Sequence, residues 1–211
     1  MQPAPPVTIV LLRHGAVAGI ARPERFRGRA PLALTDLGLR QAEAAASSVR
    51  ARYRPTAVYA SPLERAVATA GAIASPLGLA VTRDPDLNDI DYGRWQGLTH
   101  DEVRAGDAAE LLRWESAPHL AQPDGGETLF EVAVRATRFL RALAARHAGE
   151  NVVVVGHDSV NRIVLAIALD LPFSHYRQIR QAPCAISELG FDGVAFDVRS
   201  TNGTEHLRGL L

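Results

Sequence analysis

The chain has 211 residues, of which 47% are hydrophobic, and it carries 23 basic and 23 acidic side chains. This length suits one α/β domain, and residues 1–211 are predicted to form a single domain with residues 1–6 as a loose N-terminal tail. The balanced charge offers no polybasic surface for nucleic acid or for an anionic membrane. The expected partner is therefore a small molecule.

The cysteine content and the lengths of the apolar runs exclude further classes of protein. Cys184 is the single cysteine, so no disulfide can form within the chain. No stretch approaches the roughly 18 consecutive apolar residues of a membrane-spanning helix. Residues 1–6 lack the basic and apolar regions of a signal peptide, so the sequence predicts a cytoplasmic location.

The first predicted strand begins at Val7 and is hydrophobic on both faces, which is typical of a buried strand in a parallel sheet. It ends in Arg13, His14 and Gly15. Ligands of open α/β sheets bind beyond the carboxyl ends of the strands, so these residues are placed to meet an anion. The alternative for this motif alone is that Arg13 and His14 cap the sheet by hydrogen bonds.

The segment after this motif is predicted to be a long loop and then a helix. The loop carries four arginines, which either belong to the site or form a solvated surface: Arg22, Arg25, Arg27 and Arg29. Thr35 is predicted to cap a helix that continues to about Arg52. Its buried face is predicted to contain Leu39, Ala42, Ala46 and Val49.

A second short strand, residues 56–60, precedes another predicted helix. Ser61 and Glu64 have the spacing of a capping box, with a proline at the first helical position. Arg65 then lies in the first turn, where the helix dipole disfavours a cation. This position suggests that Arg65 binds an anion, the alternative being a surface arginine paired with Glu64.

Four aspartates lie within eight residues, 84–91, after a predicted strand at 79–82. A divalent metal would need several of these carboxylates to converge, which the irregular backbone implied by Pro85 and Gly93 does not establish. We favour a single aspartate directed towards the end of the first strand, acting as an acid or base.

Two further capping boxes predict helices in the second half of the chain. Thr99 with Glu102 opens one helix to about Trp114, and Thr128 with Glu131 opens another. The second has a hydrophobic stripe that we assign to the core: Leu129, Val132, Ala136, Phe139, Leu140 and Leu143.

The segment Asn151–Gly156 is the strongest predicted strand, and it ends in His157, Asp158 and Ser159 before a helix at 160–169. Two parallel strands that each end in a histidine place two imidazoles at one edge of the sheet. Strands at 185–190 and 194–199 are predicted to form a hairpin. The remaining histidines lack metal-ligand spacing and are assigned structural or surface positions: His100, His119, His147, His175 and His206.

With these pieces placed, the chain resembles the histidine phosphatase superfamily, phosphoglycerate-mutase-like branch, over nearly its whole length. Six segments in the family's order carry the resemblance: L-L-R-H-G at 11–15, the stretches 25–42, 59–70 and 87–99, P-D-G-G-E-T at 123–128, and V-V-V-G-H-D at 153–158.

The resemblance implies a three-layer α/β/α sandwich with a mainly parallel central sheet. It also implies a metal-independent phosphatase without cofactor that hydrolyses small phosphate monoesters through a phosphohistidine on His14. Arg13, Arg65 and His157 would bind the phosphate, and Asp89 would be the acid. Two cations beside His14 should lower its pKa and keep the nucleophile neutral.

The sequence departs from the family at several positions. Asp89 stands where glutamate is usual, and its side chain is one methylene shorter. Ala16, Val17 and Ile20 replace a Glu, a Thr and an Asn phosphate ligand, and Arg27 is the proposed substitute donor. Asp158 stands where glycine is usual and adds a negative charge near the pocket.

Two other functions share these residues. Sugar-phosphate mutases of the family carry an insertion between the acid loop and the G-G-E segment, but here the stretch between Asp89 and Gly125 is short. A catalytically weak phospholigand-binding protein is the second alternative, because of Asp89 and the missing asparagine. Hydrolysis is the favoured function.

Overall fold

The computed structural model describes residues 5–18 and 24–210, so Ile20 and Arg22 of the first loop lie outside the described residues. These residues build a six-stranded sheet in the order β3-β2-β4-β1-β5-β6. The strands are β1 Val7–Arg13, β2 Ala57–Ala60, β3 Val81–Arg83, β4 Asn151–Gly156, β5 Ile186–Phe191 and β6 Phe196–Gly203. Strands β1 to β4 are parallel, and β5 runs antiparallel to both β1 and β6.

Helices cover both faces of this sheet. They are α1 Asp36–Arg52, α2 Glu64–Ala74, α3 His100–Ser116, α4 Leu129–Arg146 and α5 Asp158–Ala168. Because side chains alternate along a strand, Val10 and Leu12 of β1 pack in the cluster that contains α1 and α2. Ile9 and Leu11 pack in the cluster that contains α3, α4 and α5. The predicted three-layer α/β/α architecture is confirmed.

The local signals for helix starts succeeded at three of four sites. Thr35 caps α1, and the capping boxes at Thr99 and Thr128 open α3 and α4. The predicted box at Ser61 is wrong, because α2 begins at Glu64 without a side-chain cap. The Ser61 hydroxyl instead donates a hydrogen bond of 2.9 Å to Asn88 Oδ1, which ties the end of β2 to the loop that carries Asp89.

The buried face of α1 differs from the prediction. Leu39 is 48% exposed, and the buried positions are Gly38, Gln41, Ala42, Ala45 and Val49. The reason is a close backbone approach, since a Cβ on Gly38 would lie 2.1 Å from the carbonyl oxygen of Ala16. A Cβ on Gly15 would likewise lie 2.5 Å from the carbonyl oxygen of Gly38. Two glycines therefore let α1 contact the segment that follows β1.

The N-terminal segment and the ends of some strands differ less from the predictions. The carbonyl of Pro5 accepts a hydrogen bond of 3.1 Å from the Gly149 N–H, so the predicted loose tail is already attached at residue 5. β3 begins at Val81, later than predicted, and β6 continues to Gly203. No helix in the described part of the chain has the length and apolar character needed to cross a bilayer. The single domain over 1–211 stays a prediction.

Candidate active site

The parallel strands bring three distant segments to one edge of the sheet. Arg13 at the end of β1 pairs with Gly156 at the end of β4, and the His14 N–H donates to the Gly156 carbonyl at 3.1 Å. On the other side of β4, the Ser61 N–H donates to the Val155 carbonyl at 3.1 Å. The residues that follow β1, β2 and β4 therefore meet, as their positions after strand ends predicted.

His14 is buried, and its hydrogen bonds define its tautomer. Nδ1 lies 2.7 Å from the Gly15 carbonyl oxygen, which can only accept, so the proton resides on Nδ1. Nε2 keeps its lone pair and accepts a hydrogen bond of 3.2 Å from Arg65 Nε. Burial lowers the pKa of His14 well below its usual value, and the guanidiniums of Arg13 and Arg65 lower it further. The result is a neutral imidazole whose Nε2 lone pair is directed at Arg65.

Arg65 connects the two histidines. Its side chain is not paired with Glu64 at the surface, since the residue is only 1% exposed. Nε lies 3.2 Å from both His14 Nε2 and His157 Nδ1, while its two terminal nitrogens donate to the carbonyls of Ala30 and Gly28 at 2.8 and 2.6 Å. The guanidinium is thus held by four partners from three segments of the chain.

His157 is fully buried beside His14, with 5.0 Å between the ring centroids. Because Nδ1 accepts from Arg65, the proton of the neutral ring lies on Nε2. Burial lowers the pKa of His157, and neighbouring His14 and Arg65 lower it further. The Nε2 proton has no hydrogen-bond partner among residues 5–18 and 24–210, so this buried donor is available to an acceptor.

Two arginines complete this set of donors. Arg13 donates through one terminal nitrogen to the Gln181 carbonyl at 2.6 Å and to Asp158 Oδ1 at 3.1 Å. Arg27 lies 3.5 Å from Glu24 and lines the same cleft as His14. The Nε atoms of Arg13 and Arg27 are buried and lack a partner within the described chain. Such N–H groups suit the oxygens of a phosphate.

Asp89 lies on the other side of Arg65. Its Oδ2 is 3.6 Å from a terminal nitrogen of Arg65, and its Oδ1 accepts from the Ile90 N–H at 3.0 Å. Burial raises the pKa of Asp89; Arg65 opposes this shift, and the negative charge of Asp158 adds to it. The carboxyl group is therefore biased towards the protonated form that a general acid requires.

Arg135 positions the loop that carries Asp89, a role that sequence reasoning missed. From α4 it donates to the carbonyls of Asp86 and Asn88, at 2.7 Å each, and to that of Asp89 at 3.3 Å. The sequence feature that could have indicated this role is the position of Arg135 next to the apolar stripe of α4. The structure shows that this arginine is buried. Buried arginines require several acceptors, and this one finds them in loop carbonyls.

The other aspartates of this loop point to different partners. Asp86 pairs with Arg138, Asp91 lies 3.1 Å from Arg29, and the Asp84 side chain accepts from the Asp86 N–H. Over the described ranges, no group of three or more His, Cys, Asp or Glu side chains is arranged to hold a metal ion. The aspartates therefore do not converge as a metal site would require.

These residues line a cleft with a volume of about 450 Å³. The predicted arginine-rich loop contributes Arg25 and Arg27 to it, and His100, which was assigned a structural or surface position, lines it against Phe26. The cleft has further lining residues that the sequence analysis did not single out: Tyr92, Ser159, Arg162, Tyr176 and Arg177. Ser159 and Arg162 follow His157 closely on α5, and this closeness could have predicted their place in the cleft. No feature of the sequence indicated that residues 176–177 line it.

The sheet and the buried imidazole pair define an α/β protein with an arginine-lined cleft at the carboxyl ends of its parallel strands. The sequence pattern of the histidine phosphatase superfamily (branch 1) matches residues 9–204. The chain belongs to this family.

Known relatives share both sequence and fold. The bifunctional protein Rv2228c of Mycobacterium tuberculosis is 35% identical over 204 residues, which cover 96% of this chain but 55% of that protein, so the chain spans about half its length. A metal-independent phosphoserine phosphatase of Arabidopsis thaliana is 37% identical over 158 residues, covering 74% of this chain and 66% of the relative. The solved structure of Bacillus stearothermophilus YhfR has a TM-score of 0.89 at 29% identity and covers 95% of this chain and 99% of that one.

Proposed function

We propose that this protein is a metal-independent phosphatase that hydrolyses small phosphate monoesters through a phosphohistidine intermediate on His14. The observation that carries the proposal is the neutral His14 ring, with its Nε2 lone pair held beside the Arg65 guanidinium. The phosphoserine phosphatase relative, which is named as metal-independent, supports the same chemistry.

In the first half-reaction, the phosphate group binds among Arg13, Arg65 and His157. A phosphate monoester carries nearly two negative charges, and phosphoryl transfer depends mainly on positioning and on stabilising that charge. The Arg65 Nε–H moves its hydrogen bond from His14 Nε2 to a phosphate oxygen, and the freed Nε2 lone pair attacks phosphorus as the ester P–O bond breaks. Protonated Asp89 gives its proton to the leaving alkoxide.

In the second half-reaction, the Asp89 carboxylate acts as the base. It removes a proton from a water molecule whose oxygen attacks the phosphorus of phospho-His14. The P–N bond breaks, inorganic phosphate leaves, and His14 and protonated Asp89 are restored. Asp89 gives up a proton in the first step and takes one in the second. A raised pKa suits both roles, because it keeps the acid protonated and makes the carboxylate a stronger base.

Two departures from the family pattern are consistent with this proposal. Aspartate is one methylene shorter than the usual glutamate, and an error of about 1 Å can cost on the order of a hundredfold in rate. Arg135 donates to the carbonyls of Asn88 and Asp89 and so fixes the backbone of this loop. We infer that the position of this backbone compensates for the shorter side chain of Asp89. Arg27, with its unpartnered Nε at the cleft, is the proposed replacement for the missing asparagine donor.

The expected partner remains a small phosphate ester rather than nucleic acid or membrane, and the proposed location is cytoplasmic. The proposal of a small-molecule partner follows from the balanced charge of the chain.

The test is hydrolysis of p-nitrophenyl phosphate with and without a chelator, using His14→Ala as the control. We expect chelator-resistant turnover in the parent, none in the variant, and a phosphorylated His14 in rapid-quench mass spectrometry. Turnover that survives His14→Ala would overturn the proposal. Tight binding of phosphate esters without turnover would instead favour the phospholigand-binding alternative.

A further inference from the structure

A second pair of arginines lines the cleft beyond the phosphate-binding residues. Arg162 on α5 and Arg177 in the segment that follows it line the same cavity as His14. We propose that these two arginines form a subsite for a second anionic group on the substrate, either a carboxylate or another phosphate. Preferred substrates would then be short phosphate esters that carry such a group, an inference that rests on the proposed phosphatase function.

The position of Arg162 sets the distance between the two anions. A terminal nitrogen of Arg13 lies 3.1 Å from Asp158 Oδ1, and a terminal nitrogen of Arg162 lies 3.3 Å from the same oxygen. The two guanidiniums are therefore separated by a single carboxylate oxygen. Because Arg13 binds the phosphate in the proposed reaction, the second anion would lie only a few bonds away from the phosphate.

Both arginines are held in place before any substrate binds. Arg162 donates to the Tyr176 carbonyl at 3.2 Å, and its guanidinium carbon lies 5.3 Å from the centre of the Tyr176 ring. Arg177 donates to the Trp114 carbonyl at 2.6 Å and lies 5.6 Å from the centre of the Trp114 ring. Such fixed guanidiniums lose little conformational entropy when they bind an anion.

The charge balance of the cleft leaves room for a second anion. Arg25 pairs with Glu102 and Arg27 with Glu24. When Asp89 is protonated for catalysis, Asp158 is the carboxylate that remains to face the other lining arginines: Arg13, Arg65, Arg162 and Arg177. A phosphate dianion neutralises about two of the three excess charges, so about one positive charge remains. Arg177, which forms no ion pair within the described chain, is the cation left without an anionic partner.

Three aromatic residues that line the cleft do not offer an alternative binding mode. Trp114 is 4% exposed, Tyr176 3% and Phe26 4%, so none of these rings presents an open face on which a planar group could stack. Arg177, in contrast, is an exposed residue. The group that a ligand can reach on this side of the cleft is therefore the Arg177 guanidinium, and a guanidinium favours an anionic ligand.

The test compares kcat/KM for matched esters. The carboxylate pair is 3-phosphoglycerate and glycerol 3-phosphate, which differ by a carboxylate against a hydroxymethyl group. The phosphate pair is propane-1,3-diol bisphosphate and its monophosphate. We expect at least one anionic member to be preferred by about tenfold or more, as a charge-assisted hydrogen bond would give. The preferred pair identifies the second anion as a carboxylate or a phosphate.

Variants at position 177 assign the preference to the subsite. Arg177→Met should reduce the ratio within the preferred pair about tenfold, and Arg177→Lys should retain part of it. Arg180→Met, at an exposed position that does not line the cleft, is the matched control and should keep the parent ratio.

Equal kcat/KM values within both pairs, or a preference that Arg177→Met leaves intact, would overturn this inference. The absence of turnover with every ester is a different result, since it would overturn the proposed phosphatase function and this inference with it.

Discussion

The single Nε–H of Arg65 is shared between His14 Nε2 and His157 Nδ1, each 3.2 Å from the Arg65 Nε atom. A single guanidinium nitrogen thus fixes the orientation of both imidazoles. The shared N–H keeps the His14 Nε2 lone pair directed into the site, and the His157 Nε2 proton remains without a partner in the described chain. This relationship makes Arg65 the residue on which the geometry of the site depends most.

Replacing Arg65 with lysine should lower kcat/KM for p-nitrophenyl phosphate by about a hundredfold or more, since a lysine cannot offer the same fork of donors. It should also reduce the free energy of unfolding by about 1–3 kcal/mol, because buried carbonyls at Gly28 and Ala30 lose their donors. Steady-state kinetics and urea unfolding measure the two effects. Retention of full activity by Arg65→Lys would contradict this assignment.

The pH profile of kcat/KM should reflect the two shifted groups of the site. The lowered pKa of His14 keeps the nucleophile neutral below pH 6.5, so the acidic limb should lie below that value. The raised pKa of Asp89 means that activity falls as pH rises through it, because the proton of the general acid is lost.

Asp158→Asn removes a nearby negative charge that supports the raised pKa of Asp89. The pKa of Asp89 should fall, and the basic limb of the profile should therefore move to lower pH. Asp197→Asn, on the exposed strand β6, is the control and should leave the limb in place. If the basic limb of Asp158→Asn stayed at the pH of the parent, that limb would not report the pKa of Asp89.

Arg135→Met should lower kcat by about ten- to a hundredfold with a smaller change in KM, because the carbonyls of the Asp89 loop lose their donor and the acid is misplaced. A positioning role predicts that the loss is greatest for esters with poor leaving groups, which depend most on the acid. Arg141→Met, exposed on the same helix, is the matched control. An equal loss for good and poor leaving groups would indicate general destabilisation instead.

Gly38→Ala should destabilise the fold by about 1–3 kcal/mol, because the new Cβ would lie 2.1 Å from the Ala16 carbonyl oxygen and force α1 away. Gly71→Ala in α2 has no atom within 4 Å of the new Cβ and should instead stabilise by up to about 1 kcal/mol. Urea unfolding of both variants checks the contrast. Equal effects at the two positions would contradict the close approach of α1.

The features that the sequence predicted correctly depend on local interactions. The capping boxes at Thr99 and Thr128 close within four residues, so their side chains find the same partners wherever the helix packs. The strand ends at Arg13 and Gly156 follow from apolar runs that stop abruptly, and parallel pairing then places His14 and His157 at one edge. Local hydrogen bonding and hydrophobic pattern were sufficient for these features.

The remaining features depend on contacts between distant segments. Ser61 had a local capping partner in Glu64 but binds Asn88 instead, and the buried face of α1 follows the approach of Gly38 to Ala16. Arg135 reaches the Asp89 loop from α4, and Arg177 enters the cleft from a segment with no recognisable pattern. Sequence alone therefore determined which strands end in reactive side chains. Only the tertiary structure decided what surrounds them, because long-range packing selects among partners that the local sequence leaves equally available.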